Sequence, residues 1–183
     1  MIQQRVVQSD GLTEDERAQM QALFDAIWEG GFSREDWDHT FGGLHVLRRV
    51  DGELVAHGAV VERTLWLDGE PLHVGYLEAV ATSPEHQGHG HGSAVVDALD
   101  AIVREDYELG ALSTGRRSFY ERLGWLLWRG PLVVRTAEGD TPTPEESGAI
   151  FVLPTPSLPD PDLDATLTCD HARATSGDGF SPG

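Results

Sequence analysis

Apolar positions along this chain follow two rhythms, and the rhythm changes wherever turn residues intervene. Arg5-Val6-Val7 reads as a short first strand. Thr13, followed three residues later by Glu16, has the form of a capping box, in which each side chain caps the other's backbone N–H. Behind it Met20, Leu23, Phe24, Ile27 and Trp28 recur at the spacing of one helix face, and Gly30-Gly31 ends the helix. Ser33 and Asp36 repeat the cap for a short second helix through Trp37. Period two then takes over. Strands are expected over 44–50, 54–67 and 72–82, joined by Asp51-Gly52 and Asp68-Gly69, which favour tight hairpin turns. Helical spacing returns with Val95, Val96, Leu99, Ile102 and Val103. A short buried strand at 109–113, a helix at 117–123 ending at Gly124, and strands at 125–134 and 149–153 complete the regular pattern. Leu163, Ala165, Leu167 and Cys169 alternate like a further strand. The order β-α-(α)-β-β-β-α-β-α-β-β, a meander followed by a crossover, predicts an α+β fold. Its central sheet would be mostly antiparallel with one parallel β-α-β step.

Composition narrows the function. At 183 residues the chain is read as one domain over 1–173, followed by a flexible tail, 174–183. No apolar run reaches membrane-span length, and the N-terminus lacks a signal-peptide pattern. The single cysteine, Cys169, excludes an internal disulfide framework and suits a reducing, cytoplasmic setting. The formal net charge is -18, and all 13 basic residues are arginine. Nucleic acid and anionic membranes would be repelled and cations attracted. Between 136 and 183 nine Asp or Glu residues face one basic residue, Arg173, and Pro142, Pro144, Pro154, Pro156, Pro159 and Pro161 argue against long helices there.

The sharpest chemical signal is the strand 77–82 running into Gln87-Gly88-His89-Gly90-His91-Gly92 at the start of a helix. Alternate glycines leave backbone N–H groups bare, and the helix N-terminus adds its positive dipole end, so the turn suits a phosphate or pyrophosphate. A P-loop is excluded, because the chain contains no lysine. The dinucleotide fingerprint is not met, because the glycine spacing and the next strand's end differ. His86, His89 and His91 lack a closed ligand set, so no metal is expected. Ser113 and His45 could be drawn as part of a hydrolase triad, but no nucleophile-elbow sequence exists. Cys169 has no supporting pattern as a nucleophile. Gln87-x-x-Gly90-x-Gly92 instead resembles the pyrophosphate loop of the GNAT superfamily of acyl-CoA N-acyltransferases.

Further segments resemble one family within it, the aminoglycoside 2′-N-acetyltransferases. These are Asp36-Trp37-Asp38-His39-Thr40-Phe41-Gly42-Gly43-Leu44-His45, Gly75-Tyr76-Leu77-Glu78, Tyr107 to Ser113, Phe119-Tyr120-Glu121-Arg122-Leu123-Gly124-Trp125 and Cys169-Asp170. The resemblance implies a GNAT fold with the parallel step at an acetyl-CoA site. Acetyl would pass from acetyl-CoA to an amine of a cationic aminoglycoside by direct attack on the thioester, conferring resistance. Val80, Ala81 and Thr82 would pair with the pantetheine arm, and Gln87, Gly88, His89, Gly90, His91 and Gly92 would hold the pyrophosphate. A strand amide near Val80 would meet the developing oxyanion. Glu78 would contact substrate or act as a base through water, and Tyr120 would protonate the departing thiolate. Asp36, Glu78, Ser113, Glu145 and Glu146 would bind substrate, Glu146 being better placed than Glu145. The resemblance also allows a homodimer. The chain departs from the family at Gly31, where an acid is common, and in the tail after Cys169-Asp170-His171-Ala172-Arg173. Those losses leave open another amine, such as that of a kasugamycin-like antibiotic, a polyamine or a small metabolite. A non-catalytic acyl-CoA- or antibiotic-binding protein also remains open.

Overall fold

A computed structural model describes residues 1–28 and 32–170. The Gly30-Gly31 helix stop, the departure at Gly31 and the tail from 171 onward lie outside the described residues. In chain order the elements are β1 (Ile2–Gln8), α1 (Glu14–Trp28), α2 (Arg34–His39), β2 (Leu44–Val50), β3 (Glu53–Leu67), β4 (Glu70–Thr82) and α3 (His91–Asp106). They continue with β5 (Leu109–Ser113), α4 (Arg117–Arg122), β6 (Leu126–Leu127), β7 (Leu132–Thr136), β8 (Gly139–Pro142), β9 (Ile150–Pro154) and β10 (Leu167–Asp170). The described residues divide into two compact units, Met1–Val61 with Leu77–Ala101, and Glu62–Tyr76 with the residues from Ile102 onward. β3, β4 and α3 contribute residues to both.

The first unit is built around an antiparallel meander. β1 pairs with β2 along its whole length, and β2 pairs with β3 with one register shift between Arg48 and Arg49. The hairpin turns form as expected: Asp51 and Gly52 both take positive φ, as do Asp68 and Gly69 further on. Both capping boxes are present. Thr13 N–H donates to Glu16 Oε2 at 3.0 Å and Glu16 N–H to Thr13 Oγ1 at 3.1 Å. Ser33 and Asp36 exchange the same pair of bonds at the start of α2. The helical stripe of α1 lies as its spacing implies, with Met20, Leu23 and Phe24 buried against Val7, Leu47, Leu54 and Ala81. Gly58 admits the helix above it, because a Cβ there would come within 2.7 Å of Leu99 Cδ1 and 2.9 Å of Val95 Cγ1.

The second unit carries the parallel step. Its strand order is β6-β9-β5-β4-β3-β10-β7-β8. β5 lies parallel to β4 through Val74, Gly75 and Tyr76 and antiparallel to β9. Leu65, Val74, Leu109, Trp128, Val152 and Leu167 are among the residues of its apolar core. The mixed α+β class is therefore observed, with three corrections to the element pattern.

The run 125–134 is not one strand. It breaks between β6 and β7, where Arg129 and Gly130 N–H groups both donate to the Leu163 carbonyl at 2.9 Å. The approach is close enough that a Cβ on Gly130 would sit 1.9 Å from the Ala165 oxygen. The acidic stretch after 136 supplies an unexpected strand, β8, paired antiparallel with β7. The alternation at 163–169 yields only β10, which joins β3 antiparallel and β7 parallel, a second parallel pairing.

Candidate functional site

In the first unit, β4 leads out through Val80, Ala81 and Thr82 into the glycine loop. Pro84–His86 forms one tight helical turn, and Gln87 is extended. Gly88 and Gly90 take φ of +78° and +80°, values that a side chain would oppose, and no atom lies within 4 Å of where a Cβ would stand. The loop backbone is therefore open where α3 begins at His91. The first N–H groups of any helix lack intrahelical partners, so this end presents donors and a positive dipole. The side chains brace the loop. Gln87 Nε2 donates to the Thr82 carbonyl at 3.2 Å, and His89 Nδ1 lies 3.0 Å from the Gln87 carbonyl.

His91 is buried and accepts Arg48 Nε–H on Nδ1 at 3.1 Å, which leaves its proton on Nε2. Burial, followed by the nearby Arg48, His86 and His89, holds its pKa below the ordinary histidine value. A neutral imidazole still has one N–H, which makes it a donor to an anion without being a fixed charge. These residues fit a pyrophosphate, and nothing in their donor set resembles a metal centre. Among the described residues, no group of three or more His, Cys, Asp or Glu side chains is arranged to hold a metal ion.

Glu78 is half-buried on β4 between the buried Leu77 and Ala81. The next residue, Ala79, has φ of +48°. For a residue with a Cβ the left-handed conformation costs about 1–2 kcal/mol, so the regular alternation of β4 is interrupted at Ala79. The kink has a partner that the sequence did not reveal. His57 Nδ1 lies 2.8 Å from the Ala79 carbonyl, His57 Nε2 lies 3.0 Å from His45 Nδ1, and His45 Nε2 lies 2.8 Å from Ser9 Oγ.

The block from Asp36 to His45 is organised by packing. Trp37 packs edge-on to Phe24 and tilted against Phe41, with ring centroids at 5.6 and 5.0 Å. Thr40 is buried and donates to the Asp36 carbonyl at 2.8 Å. Gly43 is required where it stands, because a Cβ would fall 2.0 Å from the Val60 oxygen. Asp36, expected at the substrate, has its Oδ2 engaged by Ser33 N–H at 2.8 Å and Ser33 O–H at 2.7 Å.

The second unit contains a cavity of about 220 Å³. Of the expected residues it brings together Ser113 and Glu146. Glu145 does not line it and is exposed. Sequence reasoning missed Glu62, Arg63 and Tyr76 as lining residues, and it took Cys169 and Asp170 only as a matching segment. Arg63 is buried, with its guanidinium 4.1 Å from the Tyr76 ring centroid, a cation–π arrangement. Burial pushes the Glu146 carboxyl above the usual range, and neighbouring Glu145 adds to this against the bond from Thr143 Oγ1. Burial and then Glu146 push the Cys169 thiol up to about 11, so it is an uncharged wall here and no nucleophile. Three carboxylates, Glu62, Glu146 and Asp170, line the cavity against one cation, Arg63, and this excess of acid favours an ammonium ligand. Tyr120, on α4, is buried with its ring edge-on to Phe119 and Trp125 at 5.0 and 5.9 Å.

Comparisons with known proteins show the family and the fold. Residues 10–127, which run through both units, match the model of the acetyltransferase (GNAT) domain. The chain is 39% identical over 170 residues to an aminoglycoside 2′-N-acetyltransferase of Mycolicibacterium fortuitum, covering 91% of this chain and 87% of that protein. Among solved structures, it resembles the GNAT-family protein YhbS of Escherichia coli in complex with CoA, with a TM-score of 0.59 and 16% identity. That match covers 93% of this chain and 91% of YhbS. A GNAT acetyltransferase of Brucella melitensis in complex with acetyl-CoA gives a TM-score of 0.57 at 17% identity, covering 87% and 94%. The chain spans only 34% of the GCN5-related N-acetyltransferase of Kribbella flavida, at 20% identity, 69% coverage of this chain and a TM-score of 0.56. No helix among the described residues is long and apolar enough to cross a membrane.

Proposed function

Because the chain belongs to the GNAT acetyltransferases, and within them to the aminoglycoside 2′-N-acetyltransferase family, we propose that it acetylates the 2′-amine of an aminoglycoside from acetyl-CoA. The observation that carries the substrate half of this reading is the acidic cavity of the second unit. There Glu146, Glu62 and Asp170 share walls with the hydroxyl of Ser113. Asp36 and Glu145 keep only the assignment that the resemblance gives them. The reading treats residues 1–173 as one acetyltransferase domain and places it in the cytoplasm, the setting expected of a chain with one cysteine.

The roles follow from what the reaction needs. Gln87 to Gly92 hold the pyrophosphate, and Val80 to Thr82 offer strand N–H and C=O groups to the pantetheine arm. Glu78 takes the proton that an ammonium must lose before it can attack, directly or through water. The N–H of Val80 faces the charge developing on the thioester oxygen. Tyr120 hands a proton to the departing thiolate.

The testing experiment measures CoA-thiol release against paired aminoglycosides carrying either a 2′-amine or a 2′-hydroxyl. Turnover only with the 2′-amines is expected. Turnover with neither, beside intact acetyl-CoA binding, overturns the aminoglycoside assignment and leaves polyamines or a kasugamycin-like amine as substrates to test.

Glu146 supplies a second prediction. Its raised pKa means that it gains a proton at a higher pH than an ordinary carboxylate and then no longer attracts an ammonium. The KM for the aminoglycoside should therefore rise as pH falls through that raised value. Glu146→Gln should raise KM at neutral pH by about 10- to 100-fold, the worth of a hydrogen bond to a charged group, and should remove this acid limb. Steady-state KM against pH at saturating acetyl-CoA checks both.

A further inference from the structure

We propose that the chain Ser9–His45–His57, whose two histidines are buried, is a positioning device that holds Ala79 in its left-handed conformation and thereby aims the Val80 N–H; this rests on the acetyl-transfer reading above. Two observations and the geometry of the peptide bond converge on it. Ala79 is left-handed in the middle of a strand, at φ +48°, without being glycine, so something outside the residue must hold it. The atom that is held is its carbonyl oxygen, 2.8 Å from His57 Nδ1. That oxygen belongs to the same planar, trans peptide as the Val80 N–H, and the two point in opposite directions. Fixing one therefore fixes the other.

The direction of every bond in the chain is forced by that carbonyl. A carbonyl only accepts, so His57 Nδ1 carries a hydrogen and Nε2 accepts from His45 Nδ1. His45 Nε2 then accepts from the hydroxyl of Ser9. Ser9 Oγ receives the N–H groups of Gly42 and Gly43 at 2.9 and 3.2 Å, and its own hydrogen has the nearer partner in His45, with the Gly43 carbonyl at 3.1 Å. A proton added to either ring would reverse the bond between His45 and Ser9 and turn the Ser9 hydroxyl to the Gly43 carbonyl. Both rings are fully buried, and burial keeps them neutral, His57 at about 3 and His45 at about 4. Phe24 and Phe41 pack on His57 and His45 at centroid distances of 5.1 and 5.3 Å, which fixes the ring planes. Because it ends on a backbone carbonyl, the chain moves no proton to a substrate. Its effect is orientation.

The test is a set of variants read by kcat, by acetyl-CoA affinity and by NMR of the amide at position 79. His57→Leu should lower kcat by about 10- to 100-fold, the scale of a misaimed oxyanion donor, with little change in acetyl-CoA affinity. Adding Ala79→Gly should recover most of the lost kcat, because glycine takes positive φ without support. A His57→Leu protein with wild-type kcat, or a double variant no better than the single, overturns the proposal.

His57→Leu also leaves His45 Nδ1–H without its partner and could cost the fold. Ala79→Val carries the same test without touching the histidines, because a β-branched side chain opposes the left-handed conformation. Full kcat in Ala79→Val overturns the proposal whatever His57→Leu does. Should the wild-type protein transfer acetyl to no amine, the reading of function fails on its own. The strong intraresidue amide–Hα cross-peak of a left-handed Ala79 then decides the positioning claim. The wild type should show this cross-peak, and both His57→Leu and Ala79→Val should lack it at the same position. Its persistence in both variants overturns the claim.

Discussion

Glu78→Gln should lower kcat by about a hundredfold to ten-thousandfold, the range that a positioned general base contributes, while acetyl-CoA still binds. The substitution keeps the side chain's shape on β4 and removes only its basicity. A carboxylate flanked by the buried Leu77 and Ala81 is costly in a strand unless it has a partner or a task. Rate against pH separates the two. If Glu78 is the base, the variant's residual rate should follow the amine's own ionisation and lose the acid limb that belongs to the carboxylate. In a parallel measurement, Tyr120→Phe leaves the edge-on contacts with Phe119 and Trp125 in place and removes only the hydroxyl. A smaller kcat loss, about tenfold, is expected there because water can stand in as the acid. Full turnover in Glu78→Gln would reduce Glu78 to a strand residue and leave the family assignment untouched.

What could be read from the chain divides along a physical line. Both capping boxes, both Asp-Gly hairpins and the α1 stripe were legible because each is encoded within a few residues. The glycine loop was legible for the same reason: its positive φ values and the start of the helix are local facts. The strand break at Trp128–Pro131 was not, since it depends on Leu163, more than thirty residues away. Nor was the place of β10, which is set by partners in β3 and β7.

The candidate site shows the same division. Ser113 and Glu146, which line the cavity, were named by resemblance, whereas Glu62 and Arg63 carry no local signal and meet the cavity only through register. The Asp36 to His45 block is instructive. The resemblance assigns only Asp36 of this block to the substrate, and Trp37, Thr40 and Gly43 are fixed by packing. His45 is fixed by a bond to a histidine twelve positions on. The kink at Ala79 had no sequence signal, because glycine is the usual mark of positive φ and this position has none.

Glu16→Ala should destabilise the protein by about 3 kcal/mol and lower Tm by about 6–12 °C at neutral pH. Glu16 is buried and carries three duties at once. Oε2 accepts the Thr13 N–H of the capping box, and Oε1 meets Arg5 Nη1 at 2.5 Å and Arg49 Nη2 at 3.4 Å. One carboxylate thus ties the start of α1 to β1 and β2. Burial alone would raise its pKa. The Thr13 N–H and the two guanidinium groups outweigh this, so the folded-state value lies below the ordinary carboxylate value.

The sign of the pH effect follows. A depressed folded-state pKa contributes stability that is present above the unfolded-state value and disappears as pH falls through the folded-state one. The Tm gap between wild type and Glu16→Ala should accordingly be widest at neutral pH and narrow in acid. Glu16→Gln keeps an oxygen for the Thr13 N–H but has no charge for the arginines. It should lie between the other two proteins at neutral pH and lose its deficit relative to wild type in the same acid range. Calorimetric Tm values for the three proteins from neutral pH down through the carboxylate range decide the matter. A gap that stays constant with pH would mean that the two arginines contribute nothing, and that Glu16 acts only as a helix cap.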